Sequence, residues 1–221
     1  MTDQETYFQK ARALMVETQI RPNDIVEPSL IGALRTLRRE AFLPEPLRAS
    51  AYIDADICLP NGRVMLAPLT IARLIHAASV RPGDRVLVVG AGTGYGAAVL
   101  ARCGAAVTAL ESDSELRSVA KAAFLSESVD VRFIDGPLSA GDPEGAPYDL
   151  VLIEGKVDVI PTSFAAQISP RGRVVTILAE RGVGRIVVAE ALSAGRFAYR
   201  FVADANTGWL PGFVKASEFV F

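Results

Sequence analysis

Apolar residues recur at three- and four-residue steps through the first third of the chain: Ala11, Leu14 and Met15, then Ile31, Leu34 and Leu37. That spacing gathers side chains on one face of a helix, so residues 5–78 are predicted to be largely helical. Prolines at 22, 28, 44, 46, 60 and 68 cut the stretch into short pieces, each interrupting the backbone ladder. Pro68 falls where a helix through Ile71, Leu74 and Ile75 would begin, a position that loses nothing by lacking an N–H.

From Arg85 the pattern changes to short apolar runs alternating with helical stretches, the arrangement of βαβ units. The predicted strands are 85–89, 106–110, 131–134, 149–153 and 173–178, and their continuous hydrophobicity fits strands buried on both faces. Crossover helices are expected over 96–102, 114–125 and 160–168. Residues 185–189 and 197–202, joined by LSAG, read as an antiparallel pair at the sheet edge. The tail GWLPGFVKASEFVF holds Trp209, Leu210, Phe213 and Phe219 and is expected to pack on the body or to offer a contact surface.

Composition narrows the reading. The 221 residues suffice for one sizeable core, so 1–78 is taken as an appendage packed on a 79–221 domain within one compact unit. Half of the residues are hydrophobic and the mean hydropathy is +0.29, which argues against disorder. A net charge of −2 offers no basic footprint for nucleic acid. The opening MTDQETYFQKARALMVE is unlike a signal peptide and no apolar run approaches the roughly 20 residues of a membrane span, so a cytoplasmic location and no membrane partner are expected. Cys58 and Cys103 are far apart and outside any metal-ligand spacing, so both are expected to be small buried residues and no metal site is expected. The one histidine, His76, is read as structural.

The chemistry concentrates in RVLVVGAGTGYGAAVL. Gly90, Gly92 and Gly94 follow a strand and open a helix, with Thr93 between them; glycines there permit a tight turn and close backbone approach by a nucleotide. Glu111 ends the next strand, about twenty residues past the first glycine, where an acid meets ribose hydroxyls. A helix N-cap is the alternative role, shared between Glu111 and Ser112. The third strand ends in Asp135-Gly136, an acid suited to an exocyclic amine and a glycine suited to a turn. The fourth ends in Glu154-Gly155, to which no role is assigned. Tyr95 stands where a dinucleotide fingerprint has its last glycine, and no dehydrogenase-like catalytic set follows, which favours a methyltransferase.

ARALMVETQI, LRREAFLP, AYIDADICLP, GTGYGAAVLA and IPTSFAAQISPRGRVV, in that order over positions 11–178, make the chain resemble the protein-L-isoaspartate O-methyltransferases. The resemblance implies an α/β fold: a Rossmann-like, doubly wound, mostly parallel sheet of the S-adenosylmethionine-dependent methyltransferase type, with a helical N-terminal appendage and an antiparallel C-terminal strand pair. It implies that the glycine loop, Glu111 and Asp135-Gly136 hold S-adenosylmethionine, leaving S-adenosylhomocysteine as product. It also implies that the acceptor is the isoaspartyl carboxylate of a damaged peptide or protein. Such an acceptor is already ionised and asks the site for positioning more than for a base.

Several positions depart from the family pattern. The substrate segment reads GRVMLAP, so Arg63, Val64, Leu66 and Pro68 are the substrate-site candidates, with Val64 where threonine is usual and Leu66 where serine is usual. Arg63 is either a compensating donor or an exposed loop arginine. Val88 replaces the acid two residues before the first glycine, and Glu154-Gly155-Lys156 replaces a small-residue segment. Three readings stay open at this point: the isoaspartyl enzyme, a methyltransferase with a small or less polar acceptor, and a non-catalytic cofactor-binding or interaction protein. The sequence does not fix the oligomeric state.

Overall fold

A computed structural model describes residues 3–192 and 195–214. The chain opens with helix α1 (Asp3–Met15), which runs through a π turn at Val16–Ile20 and a 3-10 turn at Arg21–Asn23. Helix α2 (Pro28–Thr36) begins on a proline, and 3-10 segments follow at Arg39–Phe42 and Glu45–Ser50. A two-residue ladder that the helical reading did not anticipate comes next, β1 (Ile57–Cys58) against β2 (Val64–Met65). Its turn carries Asn61 and Gly62 at φ +57° and +70°. Helix α3 (Pro68–Ala78) starts on Pro68, as the proline position predicted.

The main sheet has seven strands: β3 (Arg85–Val89), β4 (Ala106–Leu110), β5 (Arg132–Ile134), β6 (Tyr148–Val157), β7 (Ile168–Glu180), β8 (Val183–Ala191) and β9 (Phe197–Asp204). Their order across the sheet is β5-β4-β3-β6-β7-β8-β9. β3 to β7 pair in parallel, whereas β8 and β9 pair antiparallel at the edge. The order reverses between β3 and β6, so the carboxyl ends of these two strands flank the crevice where open α/β sheets take ligands. Helices α4 (Tyr95–Arg102) and α5 (Ser114–Ser126) make the first two crossovers. The third expected helix, over 160–168, is instead a 3-10 segment at Thr162–Ala166, because Pro161 delays its start and β7 already begins at Ile168.

Alternation along the buried strands divides the core in two. Val86, Val88, Val107, Ala109, Leu150 and Leu152 face α3, α4, α5 and the N-terminal segment, whose Met15, Leu34, Leu37 and Phe42 belong to the same cluster. The opposite face, with Leu87, Val89, Val151 and Ile153, is covered by Phe164 and by Leu210 and Phe213 of the tail. The tail therefore packs on the body as far as it is described, and Phe219 lies outside the described residues. Cys103 is buried, but Cys58 is exposed, contrary to the reading of both as buried, because β1 turns it away from the core. His76 pairs with Glu27 at 2.6 Å. Among the described residues no helix is long and apolar enough to cross a membrane, and no cluster of three His, Cys, Asp or Glu side chains stands ready for a metal.

Candidate functional site

The glycine loop turns sharply off β3. Gly90, Gly92 and Gly94 all have left-handed φ, at +70°, +55° and +90°, a region that side-chain-bearing residues enter only at a cost of roughly 1–2 kcal/mol. A Cβ on Gly92 would meet nothing within 4 Å, so the loop is open above it, while one on Gly94 would strike Phe124 at 2.6 Å. Gly92 thus leaves room for a ligand, and Gly94 lets α4 approach α5. Thr93 is buried between them.

Glu111 ends β4 and is fully buried. Its Oε2 accepts from Gly92 N at 2.7 Å, and its Oε1 from Asp113 N at 3.0 Å. Oε1 also accepts from Arg63 Nη1 at 2.6 Å. Arg63 is only 6% exposed and donates Nη2 to Gly90 O at 3.0 Å, so it is a buried ion-pair partner of Glu111 and not a solvated loop residue. The N-cap of α5 is neither Glu111 nor Ser112 but Asp113, which accepts from Glu115 N and Leu116 N. Ser112 is exposed and offers its carbonyl to Arg117 Nη1. The same nitrogen reaches Glu111 O and pairs with Asp135. Arg117 thereby ties the ends of β4 and β5 together, with the Asp135 side chain 65% exposed and Gly136 in the turn beyond it.

The segment 62–68, read from the sequence as the substrate side, lies beside this loop. Val64 is half-buried, Leu66 and Pro68 are buried, and Leu66 O accepts from Arg39 Nη2 at 2.6 Å. Arg39 is fully buried, donates Nε to Ala51 O and stacks on the Tyr95 ring at 4.6 Å. Glu154, in the carboxyl-terminal part of β6, places Oε1 2.0 Å from where a Cβ on Gly96 would stand. That oxygen is enclosed and unpaired, as are Tyr95 Oη and Arg39 Nη1. Burial pushes the Glu154 carboxyl up to about 8, against the opposing pull of Arg63, and Glu111 adds to the rise. The crevice therefore contains one ionised pair and one carboxyl that is mainly protonated at neutral pH.

The tail reaches the same place. Leu210 N donates to Lys156 O and Lys156 N to Gly208 O, so residues 208–210 run along the end of β6 as an added bridge. Leu210 Cδ1 lies 2.6 Å from a Cβ on Gly90, and Gly208 sits against Val64. Trp209 stays 43% exposed with Lys156 Nζ over its ring at 4.6 Å. Tail, substrate segment and glycine loop thus meet over the first glycine. Sequence reasoning had no signal for Arg39, and it expected the tail to pack on the body without telling that Leu210 would dock at Gly90; the motif at 154–156 was singled out without a role.

A model of the protein-L-isoaspartate(D-aspartate) O-methyltransferase family matches residues 10–203. A protein-L-isoaspartate O-methyltransferase of Methylorubrum extorquens is 44% identical over 168 residues, which are 75% of this chain and 73% of that one. One from Rhodopseudomonas palustris is 35% identical over 189 residues, 85% and 77% of the two chains. Among solved structures, a Plasmodium falciparum protein described as a protein-L-isoaspartate O-methyltransferase, in complex with S-adenosyl-L-homocysteine, superposes with a TM-score of 0.76 at 16% identity. That match covers 90% of this chain and 97% of the other, and at such identity it speaks for the fold.

Proposed function

The chain belongs to the protein-L-isoaspartate(D-aspartate) O-methyltransferase family, and from that premise we propose that it transfers a methyl group from S-adenosylmethionine to a carboxylate of a damaged protein or peptide in the cytoplasm. The observation that carries the reading is Glu111: a carboxylate at the end of the second strand of the parallel unit, its Oε2 held by Gly92 N beside an open glycine turn. A carboxylate offers about four acceptor positions, and two on neighbouring oxygens suit a pair of vicinal hydroxyls. Gly90, Gly92, Thr93 and Gly94 line the loop, while Ser112 and the Asp135-Gly136 turn bound it where an adenine ring would reach.

When bound, the cofactor supplies a methyl sulfonium, an electrophile that an ionised carboxylate attacks without a general base. The chain's task is then to exclude water and to orient the acceptor. Val64 and Leu66 contribute the exclusion. Glu154, being mainly neutral, spares an incoming carboxylate a second negative charge. The test is methyl transfer from labelled S-adenosylmethionine to an isoaspartyl peptide, with the normal aspartyl peptide as control. Base-labile methyl ester on the isoaspartyl peptide alone is the expected result. Transfer to neither peptide, under conditions where the protein binds the cofactor, would move the reading to another acceptor.

A further inference from the structure

We propose that Arg63 is a built-in occupant of the ribose site that cofactor binding expels, and that the expelled guanidinium then positions the acceptor carboxylate. The inference rests on the reading of Glu111 given above. Of the roughly four acceptor positions on the Glu111 carboxylate, three are taken: Oε1 receives Asp113 N and Arg63 Nη1, and Oε2 receives Gly92 N. The two backbone donors belong to the loop and the strand end and stay with them. Among the described residues, Arg63 is the one side-chain donor to this carboxylate. Removing it leaves one free position on each oxygen, which is what two adjacent sugar hydroxyls require. With Arg63 in place Oε1 is saturated, so sugar and guanidinium exclude each other.

The element bearing Arg63 is short, tied locally by Leu59 N on Arg63 O at 2.8 Å and Arg63 N on Pro60 O at 3.2 Å. It follows a turn in which Asn61 and Gly62 both have left-handed φ, and the ladder behind it has two residue pairs. The turn is held against α5 by Asn61 Nδ2 on Asp113 Oδ2 at 2.6 Å, a contact exposed to water. Arg63 also opens the substrate segment, in which Val64 and Leu66 provide no hydroxyl. A guanidinium released from Glu111 is the nearest cation on that segment and presents a planar fork to a carboxylate. Cofactor and acceptor therefore bind in order, because the acceptor's donor is freed only when the sugar takes its place at Glu111. Ligand affinity is lowered by the fraction of molecules in which Arg63 occupies the site.

The test uses S-adenosylhomocysteine as ligand and an isoaspartyl peptide as acceptor, read by calorimetry. Arg63→Gln is expected to bind S-adenosylhomocysteine about 10-fold more tightly than wild type. Wild type is expected to take up the peptide only when S-adenosylhomocysteine is present, with Arg63→Lys retaining that uptake and Arg63→Gln losing it. Should Arg63→Gln not fold, the side-chain nitrogen resonances of Arg63 in wild type, assigned by their loss in Arg63→Lys, decide. They should shift and exchange faster with solvent at saturating S-adenosylhomocysteine. Unchanged affinity in Arg63→Gln, unchanged Arg63 resonances on saturation, or peptide uptake that ignores the ligand or the arginine would each overturn the proposal while leaving the cofactor site standing. Absence of S-adenosylhomocysteine binding in both wild type and Arg63→Gln would instead remove the reading on which it rests.

Discussion

Burial pushes the Glu154 carboxyl up to about 8, so the folded protein holds a proton there that the unfolded chain releases near the ordinary glutamate value. Between those two pH values the native state binds more protons than the unfolded state. Its stability must therefore fall as pH rises through that window and level off above about 8. Glu154→Gln keeps the shape and removes the proton, so its unfolding free energy, followed by denaturant titration from pH 5 to 9, should lose this component of the slope; an unchanged slope would show that Glu154 titrates as an ordinary surface acid. At this scale the sequence was readable where a residue acts through its own backbone position. Gly92 and Glu111 follow from a strand end and a turn. It was opaque where the partner is remote: nothing in GRVMLAP tells that Arg63 is paired 48 positions away with Glu111, or that Arg39 is buried under Leu66.

Among the elements, β3, β4, β6 and β7 were legible because strands with buried cores leave continuous apolar runs, whereas β5, with no buried residue, showed only through its place in the βαβ order, and the β8–β9 pair through the LSAG turn signal between two strand-like segments. The helix expected over 160–168 failed because apolar spacing alone cannot distinguish a short helix from a strand entry, and Pro161 with Ile168 leaves room only for a 3-10 turn. The β1–β2 ladder is too short to leave a period. The tail segment is the element with the largest consequence for the site: Leu210 is buried against Gly90 and Gly155 and closes one side of the glycine loop. Leu210→Ala should lower the unfolding free energy by about 2–5 kcal/mol, the range for truncating a buried leucine, as measured by urea denaturation. A change below about 0.5 kcal/mol, the size usual for surface substitutions, would mean that the tail does not pack there.

For the whole molecule, the strand order places the reversal between β3 and β6 and so brings the glycine loop, Glu111 and Glu154 to one edge. The 530 Å³ hollow bounded by Arg85, Arg102, Arg132 and Tyr148 lies at the opposite, amino-terminal edge of the same strands, where this order assigns no chemistry. The architecture was readable from alternation and motif order; the way the tail and the 62–68 segment fold over the first glycine was not, since it depends on contacts between remote parts of the chain, Arg63 with Gly90 27 positions away and the tail more than a hundred positions from both. The glycine turn and Glu111 are proposed to form the binding site for the adenosyl cofactor. Its most direct test is calorimetric titration of the intact protein with S-adenosylmethionine beside Gly92→Ala, whose methyl group would enter the open space over the loop. One-site binding to the wild type that the folded variant loses is the expected result. Folded wild-type protein that shows no heat of binding at millimolar ligand, or a variant that binds as well as wild type, would contradict it.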